Sequence, residues 1–92
     1  MSFDIRLTEQ AEDDLNTLSV HIQAFLESQL SMLAEFPARL SRPSVSPPFA
    51  PNYMLFDVDY NVAGDRVYLY VLFRYHQDET TLIINHIGCR HI

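Results

Sequence analysis

The sequence has no lysine, no tryptophan, two glycines and a single cysteine, Cys89. One cysteine cannot form a disulfide within the chain, which excludes a small secreted scaffold held together by disulfides. The absence of lysine excludes Schiff-base chemistry and a P-loop, because both need a lysine side chain. The longest uninterrupted apolar run, 67–73, has seven residues, far fewer than the ~20 that a membrane-spanning helix needs. The first residues also lack the features of a signal peptide, and we therefore expect a cytoplasmic protein.

The charges that are present are mostly negative. Twelve acidic residues and six arginines give a net charge of −6. A nucleic-acid-binding surface needs cations to displace the counterions of the phosphates, so direct nucleic-acid binding is not expected. The length of 92 residues predicts one domain spanning 1–92. Because so short a chain buries a small core, we expect a second copy of the chain to add buried surface as a homodimer.

The N-terminal part has the pattern of a short strand followed by helix. Apolar and polar residues alternate over 3–7, and Thr8 is a good N-cap before a turn rich in acids. Apolar residues then recur at steps of three and four, as expected for helices with one buried face; they are Ala11, Leu15, Leu18, Ile22, Phe25, Leu26, Leu30, Leu33 and Phe36. Weak helix formers at 16–21 favour two helices meeting near 19–22. One long helix is the alternative.

The C-terminal part is predicted to be a sheet. Residues 41–51 contain four of the five prolines and predict an extended connector without regular structure. Beyond it, 53–62, 66–75 and 80–87 read as three strands separated by polar turns. The third is apolar on both sides, as a central or interface strand would be. The order β-α-α-β-β-β predicts an α+β domain in which an antiparallel meander packs on a helical hairpin.

Three short motifs carry a resemblance to a known family. Leu7-Thr8-x-x-Ala11-x-x-Asp14-Leu15 resembles the strand-to-helix opening of the RelE/ParE superfamily of bacterial toxins. Leu33-Ala34-Glu35-Phe36-Pro37 resembles the end of that family's second helix, and Ile87-Gly88-Cys89-Arg90 is similar to its final-strand signature Ile-Gly-His-Arg. The resemblance implies the same fold and a toxin that a cognate antitoxin neutralises. RelE-like members cut mRNA on the ribosome, whereas ParE-like members poison DNA gyrase.

The sequence leans towards the ParE-like members. RelE-like cleavage relies on lysines and arginines around the phosphate and on a terminal Tyr or His, but this chain has no lysine and ends His91-Ile92. We therefore predict a toxin that acts by binding proteins, with an antitoxin and a gyrase-type target as partners. The alternatives are a metal-independent, ribosome-dependent endoribonuclease of RelE type, and a degenerate, non-toxic homologue that is a dimeric binding module.

The candidate catalytic residues lie near the C-terminus. Arg90 matches the family's arginine and would stabilise the charge of a reacting phosphate, while His86 and His91 would transfer protons. Arg74, on the preceding strand, is the fourth candidate. The spacing His-x-x-Cys-x-His in the same stretch resembles metal ligands, but a strand would point these side chains in mixed directions, so no metal or other cofactor is predicted. Cys89, beside an arginine, is expected to have some thiolate character.

An apolar, aromatic strand surface is the predicted partner-binding site. Tyr68, Tyr70 and Leu72 share the outer side of the second strand of the meander, and Ile84 lies on the two-sided apolar third strand. Aromatic surface of this kind is typical of protein interfaces.

Two acids on the first strand of the meander point to the same side. Asp57 and Asp59 are about 7 Å apart by strand rise. We expect them to form ion pairs with Arg66 or Arg74 of the neighbouring strand, and a Mg²⁺ site is the alternative.

Overall fold

The computed structural model describes residues 2–44, 52–62 and 64–92. These form β1 (Asp4–Leu7), α1 (Glu9–Asn16), α2 (Val20–Glu35), α3 (Pro37–Leu40), β2 (Arg42–Pro43), β3 (Met54–Val62), β4 (Asp65–Tyr75) and β5 (Thr81–His91). The order agrees with the predicted one, with a short helix and a two-residue strand added between α2 and β3. Within this described part of the chain, no helix is long and apolar enough to span a membrane.

Two capped helix starts divide the N-terminal helical segment. The Thr8 hydroxyl accepts a hydrogen bond from the Ala11 N–H at 3.2 Å and caps α1. The Ser19 hydroxyl accepts one from the Ile22 N–H at 3.4 Å and caps α2. Both caps satisfy amide groups that have no partner within their own helix. The predicted division into two helices is confirmed, and the alternative of one long helix is wrong.

The sheet is mixed, with the strand order β1-β5-β4-β3-β2. β3, β4 and β5 form the predicted antiparallel meander. β1 pairs in parallel with β5, aligning Asp4 with Thr81 and Leu7 with Ile84. β5 is therefore a central strand, which explains why its sequence is apolar on both sides.

One strand lies inside the segment 41–51, for which we predicted no regular element. Arg42 and Pro43 form β2 and pair antiparallel with Leu55 and Met54 of β3. The prediction is wrong here because an edge strand needs a partner on one side only and so tolerates a proline. Residues 45–51 lie outside the described residues.

The helices cover one side of the sheet, which we call the helix face; the opposite side is the outer face. The core on the helix face joins Leu26 and Leu33 of α2 to Val71 and Phe73 of β4. The four β4 residues predicted to point inwards, Val67, Leu69, Val71 and Phe73, are at most 3% exposed. The strand alternation predicted for β4 is therefore confirmed.

A β-bulge shifts the side-chain alternation of β5. Asn85 has no counterpart in β4, because the residues on either side of it pair with adjacent β4 residues. Ile84 before the bulge and Ile87 after it are both buried in the main core, although they are three positions apart. An extra residue in one strand has this effect. The residues brought to the outer face are His86, Gly88 and Arg90.

Candidate functional site

The outer face of β4 and β5 carries most of the predicted candidates. Alternate β4 residues lie there, namely Arg66, Tyr68, Tyr70, Leu72 and Arg74. In the register of the two strands His86 is opposite Leu72, and Gly88 is opposite Tyr70.

His86 is held between a carboxylate and a phenol. Its Nδ1 lies 2.7 Å from Asp14 Oδ2, and its Nε2 lies 3.4 Å from the Tyr70 hydroxyl. A carboxylate accepts hydrogen bonds, so Nδ1 carries a proton and donates a hydrogen bond to Asp14. The His86 side chain is 35% exposed. An imidazole that is oriented by a carboxylate and partly exposed has the geometry of a group that transfers protons.

Asp14 also closes a free edge of the sheet. Beyond the end of β1, none of the described strands pairs with this side of β5, and there Asp14 Oδ2 accepts a hydrogen bond from the Ile87 N–H at 3.0 Å. Gln10 donates to Oδ1 at 2.9 Å. Burial alone would raise the pKa of Asp14, but the hydrogen bonds from Ile87 and Gln10 and the attraction of His86 outweigh it and lower the pKa. Asp14 is therefore a carboxylate at neutral pH.

Gly88 leaves room for the Tyr70 ring, because it has no side chain. A Cβ atom built on Gly88 would overlap Cζ, Cε1 and the hydroxyl of Tyr70, so the ring lies directly on the backbone of β5. From there the hydroxyl reaches His86, and the centroids of the two rings are 5.6 Å apart. A glycine inside a strand is a sequence signal for such a close approach.

A second cluster on the outer face joins Asp57, Arg42 and Tyr68. Arg42 donates two hydrogen bonds to Asp57, at 3.0 Å and 2.7 Å, and the Tyr68 hydroxyl donates one at 2.7 Å. The Arg42 hydrogen bonds lower the pKa of Asp57 against the effect of burial, whereas burial and Asp57 together raise the pKa of Tyr68. Asp57 thus forms an ion pair as predicted, but its partner is Arg42 of β2 instead of Arg66 or Arg74.

The four predicted catalytic residues do not converge. His86 and Arg90 share the outer face of β5 but are four residues apart, about 13 Å by strand rise. Arg74 pairs with a β5 residue on the other side of the bulge. His91 is paired with a helix-face residue of β4 and lies exposed at the end of the strand. Of the four, it is His86 that the structure surrounds with an acid and a phenol.

The predicted partner-binding residues divide into a surface pair and a buried pair. Tyr68 and Tyr70 are half-buried on the outer face, with ring centroids 5.9 Å apart. Leu72 is 3% exposed and Ile84 is 0% exposed, so neither offers surface to a partner. This corrects the prediction for both Leu72 and Ile84. Ile84 pairs with Phe73 on the helix face and lies in the main core, and Leu72 lies beside the bulge, opposite His86.

Cys89 and His91 border a cavity of about 490 Å³ beside Leu18 and His21 of the helical hairpin. Burial raises the pKa of the Cys89 thiol, which is opposite to the expected thiolate character. Because His86 faces the outer side, the His-x-x-Cys-x-His spacing does not gather its side chains. Among the residues that the structure describes, no group of three potential metal ligands occurs.

Known proteins resemble this chain in three-dimensional structure but not detectably in sequence. No protein-family model matches the chain, and no curated protein matches its sequence.

Solved structures match over nearly the whole chain. The toxin–antitoxin complex RelBE2 of Mycobacterium tuberculosis matches with a TM-score of 0.69 and 22% identity, over 98% of this chain and 100% of that one. The intact E. coli RelBE complex matches with a TM-score of 0.64 and 12% identity, over 95% of each chain. A mutant of E. coli RelE in the free state matches with a TM-score of 0.63 and 13% identity, over 96% of this chain and 83% of that one. The fold expected from the three motifs is thereby confirmed, and the chain has the fold of the RelE toxins.

Proposed function

We propose that this chain is the toxin of a toxin–antitoxin pair and that it acts by binding proteins. Its partners are a cognate antitoxin, which neutralises it, and a target of the DNA-gyrase type. The observation that carries the proposal is the whole-chain likeness to RelE-fold chains solved as toxin–antitoxin complexes. The predicted cytoplasmic location belongs to the same proposal, because both partners would be met there.

The overall charge of the chain supports protein binding over RNA binding. The chain carries a net charge of −6 and no lysine, and Arg42 is already engaged in a two-point ion pair with Asp57. A bound phosphate backbone requires several free cations. Tyr68 and Tyr70 instead offer aromatic surface of the kind that protein interfaces use.

A second candidate function is favoured by the geometry around His86. In a ribonuclease, His86 Nε2 would take the proton of the attacking 2′-hydroxyl, and Asp14 would stabilise the imidazolium that forms. Arg90 would stabilise the developing phosphate charge. The separation of about 13 Å between His86 and Arg90 along β5 counts against both acting on one phosphate, which is why this function ranks second.

Inducible expression in bacterial cells separates the candidates. A gyrase-type toxin should arrest growth and induce a DNA-damage reporter while incorporation of labelled amino acids continues, and co-expression of a candidate antitoxin should restore growth. A ribonuclease should stop incorporation first, and His86→Ala or Arg90→Ala should relieve that block. Arg39→Ala, which removes an arginine from α3, is the matched control and should change neither readout. Normal growth without any antitoxin would contradict both proposals and favour the non-toxic dimeric homologue.

A further inference from the structure

In the part of the chain that the structure describes, β3 has no strand beside most of its second edge. β4 pairs with all nine β3 residues, whereas β2 pairs with Met54 and Leu55 alone. Among the described residues, 56–62 therefore have no strand on their second side, which leaves an edge of about 24 Å at ~3.4 Å per residue. In an antiparallel strand every second residue directs its N–H and C=O away from its neighbour. The edge thus presents backbone donors and acceptors to which an extended peptide can add as a further strand.

The outer-face side of this edge is acidic and aromatic. Asp57, Val58, Asp59 and Tyr68 line a depression of about 240 Å³. Arg42 neutralises Asp57, but Asp59 is exposed. A lysine or arginine of an added strand would bring its charge to Asp59 and lay its aliphatic stem against the Tyr68 ring.

The helix-face side of the same edge is apolar. Phe25 of α2 stacks on Tyr60 of β3, with ring centroids 4.1 Å apart and an angle of 24° between the planes. Phe25, Tyr60 and Val58 are half-buried and pack on the smaller core cluster. Apolar side chains of an added strand would cover these groups and remove the rest of their surface from water.

We propose that the open edge of β3 binds an extended peptide segment in which basic and apolar residues alternate. The period of two follows from the strand geometry, the basic side from Asp59, and the apolar side from Phe25 and Tyr60. A second copy of this chain is a poor occupant, because its own β3 edge offers acidic side chains and not the basic ones that Asp59 would attract, and each copy carries a net charge of −6. The edge is distinct from the surface around His86, so this proposal goes beyond the toxin assignment and holds whichever cellular target is correct.

Hydrogen exchange followed by NMR tests the proposal with a defined probe. The probe is an acetylated, amidated seven-residue peptide in which lysine and valine alternate. Alternate amides of residues 57–61 should exchange fast in the free protein and at least tenfold more slowly when the peptide is bound. A peptide of the same sequence with N-methyl groups at every second residue, on the side that would meet β3, keeps the charge but cannot pair; its affinity should be at least tenfold lower.

Charge reversal supplies the second arm. Asp59→Lys should weaken binding of the lysine peptide at least threefold and improve binding of the matching glutamate peptide. Asp13→Lys, which makes the same charge change on the exposed side of α1, is the control and should alter neither affinity. Equal binding of the N-methylated peptide, or equal effects of both substitutions, would reduce the interaction to general charge attraction and overturn the proposal. Concentration-dependent protection of 57–61 without peptide would overturn it in favour of a second copy.

Discussion

Gly88→Ala tests whether the Tyr70 ring lies on the backbone of β5. The added methyl group would overlap the ring, and overpacking of this kind costs ~1–3 kcal/mol. Alanine in place of glycine in a strand returns about 0.5–1 kcal/mol through the unfolded chain. We therefore expect a net loss of about 1 kcal/mol, within a range of roughly 0–2.5 kcal/mol, in the free energy of unfolding. For a domain of this size that corresponds to a fall in Tm of roughly 4–8 °C for each kcal/mol.

The matched experiment repeats the substitution where the ring is absent. In the Tyr70→Ala background the methyl group meets no ring, so Gly88→Ala should stabilise by about 0.5–1 kcal/mol. Urea denaturation of the four proteins, followed by circular dichroism, gives the coupling energy as the difference between the two effects of Gly88→Ala, provided that the m-values agree. An equal cost in both backgrounds would refute the reasoning, because it would trace the loss to the β5 backbone and not to the ring.

Asp14→Ala should lower the free energy of unfolding by about 1–3 kcal/mol, because the Ile87 N–H loses its acceptor at the β5 edge; an unchanged urea midpoint would contradict this. Gly64, in the β3–β4 turn, has a φ of +86°, and a Cβ atom there would meet no other atom. Gly64→Ala should therefore lower the free energy of unfolding by about 1 kcal/mol through backbone strain alone, and Gly64→Asn by less. Urea denaturation measures both. The hydrogen bond from the Thr80 N–H outweighs the opposing effect of burial and lowers the pKa of Asp78 from 3.8 to about 2. Because this pKa is lower in the folded than in the unfolded protein, ionised Asp78 adds to the free energy of unfolding above about pH 4, and this contribution is lost as the pH falls through about 2. In acid titrations, the free energy of unfolding of Asp78→Asn should therefore fall less steeply between about pH 4 and 2.

Those parts of the fold that depend on local signals could be predicted from the sequence. The break between α1 and α2 follows from the weak helix formers at 16–21; among them, the Ser19 hydroxyl caps the start of α2. The alternation in β4 was predicted correctly because one side of that strand is buried without interruption. In each case the deciding interaction lies within a few residues of the signal.

Contacts between distant parts of the chain could not be predicted in the same way. Asp14 and His86 are 72 positions apart, and in the sequence Asp14 is one of several acids that suit a helix start. Their contact depends on β1 pairing in parallel with β5, which carries α1 to the β5 edge. The placement of Ile84 failed because a strand that is apolar on both sides does not show which of its residues face the core, and Ile84 pairs with the core residue Phe73. The bulge at Asn85 could not be predicted either, since no property of Asn85 itself indicates one.

The contact between Asp14 and His86 serves the fold and the candidate site together. Asp14 accepts from the Ile87 N–H at the β5 edge with the same oxygen that orients the imidazole, so every change at Asp14 alters stability and site geometry at once. Tyr70→Phe separates the two, because the ring stays on Gly88 while the hydroxyl that faces His86 is lost. Toxicity reduced by this substitution at unchanged stability would assign the hydroxyl to chemistry. Unchanged toxicity is what protein binding requires, since the aromatic surface would remain in place.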